Sequence, residues 1–210
     1  LAEYRDPETG GHISRTQVYV RLLADYLKKQ GVYEDLLDDA AIELLYKSAP
    51  LHDIGKVGVP DDILLKPGKL TDEEFDEIKK HTAYGRDVIA SQEKKLGENS
   101  FLNHAKEIAG THHEKWDGTG YPAGISGDQI PISGRIMAVA DVYDALISKR
   151  VYKPPFSHKK AVSIIMEGRG THFDPNVVDA FIEVEEEFRQ AALKFADFEE
   201  EREALIKVDE

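Results

Sequence analysis

The chain has no cysteine, two methionines and a single tryptophan in 210 residues. Without thiols it can form neither a disulfide nor a thiolate metal site, so any metal must be held by imidazole and carboxylate. No apolar run approaches the roughly 20 residues that a membrane-spanning helix needs. The opening stretch LAEYRDPETGGH also lacks the basic-then-apolar order of a secretory signal. A soluble protein is expected, and the absence of cysteine is compatible with a reducing cytoplasm, the expected compartment. Positive charge is scarce too: 27 Lys and Arg stand against 40 Asp and Glu, a formal net charge of −13. Duplex nucleic acid is therefore disfavoured as a partner, because such binding draws its affinity from basic residues that neutralise phosphates. The imbalance is uneven, since Glu183 to Glu210 carry eleven acids against four bases, net −7.

What is present suffices for a sizeable core, with 41% apolar residues in a chain of one-domain length. We expect one domain over residues 1–182 and an acidic helical extension over 183–210. The chain starts on Leu1 with a dense motif by Asp6, and an upstream regulatory domain is expected. Apolar residues recur mostly at helical spacing. Val18, Leu22, Leu23 and Tyr26 mark a helix after His12, and Leu37, Ala41, Leu44 and Leu45 mark another running towards His52. Thr71 and Glu74 form a capping-box pattern ahead of Phe75, Ile78 and the region of His81. A stripe of Leu102, Ala105, Ile108 and Ala109 leads to His112 and His113, and further helices cover Ile132 to Ile147 and about Ser157 to Met166. Asp174-Pro175 reads as an N-cap and first helical residue. No stretch alternates as a strand would, so the fold class is all-α.

His52 and Asp53 adjoin at the end of an apolar helix, with Lys56 three residues beyond Asp53. Burying adjacent ionisable groups is costly unless each has a partner, and in isolation such a dipeptide reads as a capped helix end. It is not isolated. His12, His81, the pair His112 and His113, and Asp141 each lie at or near the apolar stripe of a different predicted helix, as ligands do in cofactor-binding helical bundles. Asp141 sits in RIMAVADVYDALI, where an unpaired carboxylate would be badly placed. Five imidazoles and two carboxylates exceed the needs of one ion with solvent positions left open, so at least two divalent metals are implied, with Asp53 able to bridge. Glu8 has two readings: a further ligand, brought near His12 by the Gly10-Gly11 approach, or an exposed acid favoured near a helix N-terminus. A pair of ions about 3.5 to 4 Å apart can hold a hydroxide and stabilise both attacking and leaving oxygens at phosphorus, which makes phosphoester hydrolysis the natural reaction class. Lys56, Arg150 and Lys153 would supply a positive basin; Lys149, Arg150 and Lys153 alone would more often be a solvated surface, and their place shortly after Asp141 is what favours the basin.

The motifs HDIGKVGVPDDILLKPGKLT, HHEKWDGTGYP, RIMAVADVYDALISKRVYK and GTHFDPNVVDAF, in this order, resemble the HD-GYP family of HD-domain metal-dependent phosphohydrolases. The likeness runs from about Asp6 to Phe181. It implies a helical HD-domain bundle with a metal centre in its core, hydrolysing cyclic di-GMP to linear pGpG or onward to GMP by attack of a metal-bridging hydroxide. By motif, His12, His52, Asp53, His81, His112, His113 and Asp141 correspond to ligands of two core ions, with Asp53 bridging, and Glu8 to the acid that accompanies a third ion in some members. Iron or manganese is the metal the resemblance implies. Lys56 corresponds to the lysine beside the scissile phosphate, where it suits the stabilisation of negative charge. Arg150 and Lys153 correspond to positions that hold substrate phosphate or guanine oxygens. Gly120, Tyr121 and Pro122 form the GYP loop, which shapes the pocket and can offer a surface to a diguanylate cyclase; an ordinary glycine turn with Trp116 and Tyr121 packed below it is the alternative. Two departures, a longer stretch at SQEKKLGENS and Val151 in place of a frequent proline, leave every ligand position intact. The rival reading is a catalytically weak sensor of cyclic dinucleotides or a partner-docking module, and a homodimer is left open.

Overall fold

The computed structural model describes residues 10–97, 100–149 and 154–207. They form eleven α-helices joined by short 3-10 turns, with no strand among the described residues. In chain order these are α1 (Gly10–Lys29), α2 (Asp39–Ser48), the single turn α3 (Asp61–Leu64), α4 (Asp72–Lys79), α5 (His81–Leu96), α6 (Ser100–Thr111), α7 (Ile132–Ile147), α8 (His158–Glu167), α9 (Pro175–Glu183), α10 (Glu185–Lys194) and α11 (Glu199–Ile206). The expected start signals act as caps. Thr71 and Glu74 close a reciprocal capping box at α4, the Asp174 side chain accepts from Asn176 N–H ahead of Pro175, and Ser157 caps α8.

Helix α1 runs against α2, α7, α9 and α10 and buries Tyr19, Val20, Leu23, Ala24 and Leu27 between them. Helix α7 is buried on nearly every side, twelve of its 16 residues being inaccessible, which explains a sequence that is apolar almost throughout. Where α1, α7, α9 and α10 meet, Phe188 stacks on Tyr19 at a centroid distance of 4.2 Å and meets Tyr143 and Phe181 edge-on at 5.2 and 5.0 Å. Residues after Glu183, expected as an acidic extension, thus place Phe188, Ala192 and Leu205 in the main core, and of their described acids Glu201 alone is buried.

A smaller apolar cluster of Ile89, Ala105 and Ala109, with Leu51, Ile54 and Leu102 against it, joins the α5–α6 pair to the turns that follow α2. Those turns arise because Pro50 lacks the N–H an α-helix would need: α2 stops at Ser48, a 3-10 turn covers Ala49–Leu51, and a second covers Ile54–Gly58. His52 and Asp53 fall between the two. Helix α5 was not singled out by periodicity, because its buried residues, His81, Thr82, Gly85 and Ile89, are mostly polar or small.

Candidate metal centre

Each ligand candidate owes its place to a different local device. His12 lies in the first turn of α1, His52 and Asp53 between two 3-10 turns, and His81 at the first position of α5, where the chain changes direction after Lys80. His112 and His113 directly follow α6, and Asp141 is on α7. Gly55 sets how closely these parts approach. A Cβ there would lie 1.9 Å from the carbonyl oxygen of His81, so only glycine lets the HD turn press against the start of α5.

The side chains converge. Asp53, His81, His112 and His113 present ligand atoms within 4.8 Å of one another, and so do His12, His52 and Asp141. Asp53 lies between the two groups: its Oδ1 is 3.1 Å from His81 Nε2 and 3.6 Å from His112 Nε2, while its Oδ2 is 3.2 Å from His52 Nε2. His52 Nε2 is in turn 3.3 Å from His12 Nε2 and 3.8 Å from Asp141 Oδ1.

In four of the five imidazoles Nδ1–H is committed elsewhere. His52, His81 and His112 donate to the carbonyls of Ala49, Ile78 and Ile108 at 2.9, 2.6 and 2.9 Å, and His12 donates to Asp144 Oδ2 at 2.9 Å. This fixes the tautomer and leaves Nε2 with a lone pair aimed inward, the arrangement typical of metal-ligating histidines. Burial pushes the pKa of His112 down, and burial together with neighbouring His112 takes that of His113 well below the ordinary imidazole value, so both are neutral. For Asp53, burial favours the neutral acid, but Lys56 and His52 outweigh it and hold the carboxyl well below its usual range.

Asp53 Oδ1, His81 Nε2 and His112 Nε2 are all buried without a hydrogen-bond partner. Each such atom costs on the order of 1–3 kcal/mol when left unsatisfied. Three of them facing a common point, one anionic and two with lone pairs, fit divalent cations, and the nitrogen and oxygen donors suit first-row transition metals.

Lys56 Nζ lies 2.7 Å from Asp53 Oδ2 at the edge of the cluster. On the other side Tyr121 N–H donates to the His113 carbonyl at 3.1 Å and its ring lies over the His113 imidazole at 4.8 Å. Burial, with Asp53 and Asp141 nearby, pushes the Tyr121 phenol pKa up, so it stays a neutral donor. A Cβ on Gly120 would sit 2.3 Å from Lys115 N, so the loop can fold back only with glycine there. Trp116 packs structurally: Arg135 lies over its ring at 5.4 Å, and its backbone N–H donates to His172 O at 3.0 Å. Glu8, Arg150 and Lys153 lie outside the described residues.

Three residues that periodicity did not reveal support the site. Asp144, one turn beyond Asp141, accepts the hydrogen bond from His12 Nδ1–H and two from Arg15, from Nε at 2.7 Å and Nη2 at 2.9 Å. Glu114, buried beside the two histidines, accepts from Ala123 N–H at 2.7 Å and so anchors the GYP loop. A second acid on an apolar helix and an acid directly after His-His were the available signals.

The HD domain family matches residues 9–177. A cyclic di-GMP phosphodiesterase of Vibrio cholerae is 65% identical over 94% of this chain and 40% of its own length. A 3'3'-cGAMP-specific phosphodiesterase of the same organism is 42% identical over 89% of this chain and 33% of its own. The chain therefore spans less than half the length of these relatives. Among solved structures, Bd1817, an HDG"Y"P protein from Bdellovibrio bacteriovorus, shares the fold with a TM-score of 0.56 and 21% identity, covering 82% of this chain and 52% of that one. The HD pair at the turn after α2 and the GYP loop folded over His113 belong to one continuous match, and the chain is a member of the HD-domain family, in its HD-GYP branch.

Proposed function

We propose that this chain is a metal-dependent phosphodiesterase that hydrolyses cyclic di-GMP to linear pGpG, GMP or both. The observation that carries the reading is the pair of ligand groups on either side of Asp53, with Lys56 and the GYP loop at their edge. The names of the relatives support a cyclic dinucleotide as substrate, and cyclic di-GMP as its first identity. Two ions are proposed, one held by His12, His52 and Asp141 and one by His81, His112 and His113, with Asp53 shared. Glu8 would serve a third, and iron or manganese is the proposed metal.

When bound, divalent cations supply Lewis acidity towards a phosphoryl oxygen and generate a nucleophile from water at neutral pH. The residues of the chain do the rest. Hydrolysis places a water oxygen on phosphorus and releases the ribose oxygen, which leaves with a proton. Lys56 offers a fixed positive charge where negative charge grows on the phosphoryl oxygens. Tyr121, neutral and packed on His113, walls the pocket and can donate to substrate. Arg150 and Lys153 are assigned to the phosphate or guanine oxygens. Residues 1–182 would form the catalytic domain and 183–210 its C-terminal extension, with an upstream regulatory domain, a diguanylate cyclase at the GYP loop and a homodimer as proposed partners.

The test is Asp53→Ala in metal-replete anaerobic protein supplied with cyclic di-GMP. Turnover should fall by about 100- to 1,000-fold or more, the range of losing a central electrostatic group being the lower bound, and metal content should drop while helical circular dichroism is retained. Full activity of that variant would refute the reading. Wild-type protein that binds cyclic di-GMP without hydrolysing it would make the domain a sensor instead.

A further inference from the structure

The acidic C-terminal segment lies beyond residues 9–177 of the family match, yet it reaches the residues behind His12. Arg15, one turn after His12 on α1, is only 2% exposed, so its charge requires buried acceptors. Asp144, 1% exposed, takes two bonds from its guanidinium. Nη2 also donates to Ser148 Oγ at 3.1 Å, and Nη1 is taken up by the turn between α10 and α11, donating to Phe195 O at 2.8 Å and to Asp197 Oδ2 at 3.1 Å. That turn is itself held by Glu201, a 3% exposed carboxylate of α11. Glu201 Oε2 accepts from Asp197 N at 3.0 Å and Phe198 N at 3.4 Å, and its Oε1 accepts from Lys149 N at 2.8 Å. Gly11 completes the fit, since a Cβ there would lie 2.3 Å from Asp197 Oδ2 and 2.5 Å from Phe195 O.

We propose that the Phe195–Asp197 turn is a positioning element for the metal centre, orienting His12 through Arg15 and Asp144. The inference rests on His12 being a ligand, as argued above. A guanidinium is a planar fork with a fixed set of donor directions. Holding one side of it on the C-terminal turn sets the plane in which Asp144 meets its other side, and Asp144 sets the His12 ring through Nδ1. Without the turn, Arg15 must rotate towards other acceptors, and the carboxylate that orients His12 moves with it. Outer residues of this kind typically alter metal affinity by about 10- to 100-fold.

The measurement is titration of Mn²⁺ into the metal-free full chain, with kcat and KM for cyclic di-GMP. Asp197→Ala removes an acceptor, and Gly11→Ala displaces the turn without removing any polar group. Each should weaken one of the two Mn²⁺ ions by about 10-fold, the low end of that range, leave the other unchanged, and lower kcat with KM steady. Asp197→Asn, which keeps an acceptor oxygen, should restore affinity to within about twofold of wild type, on the same scale. Val184→Ala, a core change remote from the site, controls for lost stability and should leave both ions alone. Where a variant fails to melt cooperatively, Glu201→Gln loosens the turn while leaving the partners of Arg15 in place. Wild-type affinity at both sites in Asp197→Ala and Gly11→Ala, or equal weakening of both ions, would overturn the proposal. Wild-type protein that takes up no Mn²⁺ would instead overturn the metal reading of the whole site.

Discussion

Nδ1 of His12, His52, His81 and His112 is hydrogen-bonded to a carboxylate or a carbonyl, so the inward-facing nitrogen of each is set by the fold. Asp144 does this for His12, the other three being held by backbone carbonyls. Burial would raise its pKa, but hydrogen bonds from His12 and Arg15 prevail and bring it from 3.8 to about 2. Because the folded value is the lower one, the stabilisation is complete above about pH 3.8 and is lost as pH falls towards 2. For this fully buried group it amounts to about 2 kcal/mol. Asp144→Asn should therefore flatten the dependence of urea stability on pH in that window, which equilibrium unfolding at successive pH values would reveal. Asp144 shows in the sequence only as a second acid on an apolar helix, and Arg15 does not stand out at all. Arg15 in HISRTQ looks like any surface arginine, and only the crossing of α1 with α7 and the 195–197 turn makes it a buried cation with four partners.

The elements that carry the candidate ligands differ in how far their apolar pattern shows. Helix α7 and the stripe leading to His112 were legible because their burial depends on aliphatic residues at regular spacing. Helix α5 is held instead by backbone-to-backbone approach at Gly55 and Gly85, and glycine contributes nothing to periodicity. Gly55→Ala should force the HD turn away from His81. A loss of about 1–3 kcal/mol in denaturant stability is expected from such overpacking, with weakened metal binding because Asp53 and His81 separate. The GYP loop was recognisable as a motif, but its support was not: Glu114 anchors it from below, and Gly120 packs on the backbone of Lys115.

For the molecule as a whole, the acidic C-terminal region is joined to the rest of the bundle by apolar residues, Phe188, Ala192 and Leu205 among them, and by the carboxylates of Asp197 and Glu201. Phe188 is fully buried on Tyr19, so Phe188→Ala should cost about 3–5 kcal/mol. In a chain of this size that lowers the melting temperature by about 10 °C, measurable by calorimetry. Composition and motif order were enough to point to an all-helical HD-GYP bundle without thiolate ligands and to name the seven imidazoles and carboxylates that the fold brings together, because residue type and helical spacing are local properties of the chain. Tertiary structure decided which residues group together on either side of Asp53 and that the last helices reach back to Arg15. Those outcomes depend on contacts between residues as far apart as Arg15 and Asp197, where a buried charge takes whatever acceptor the packing brings to it.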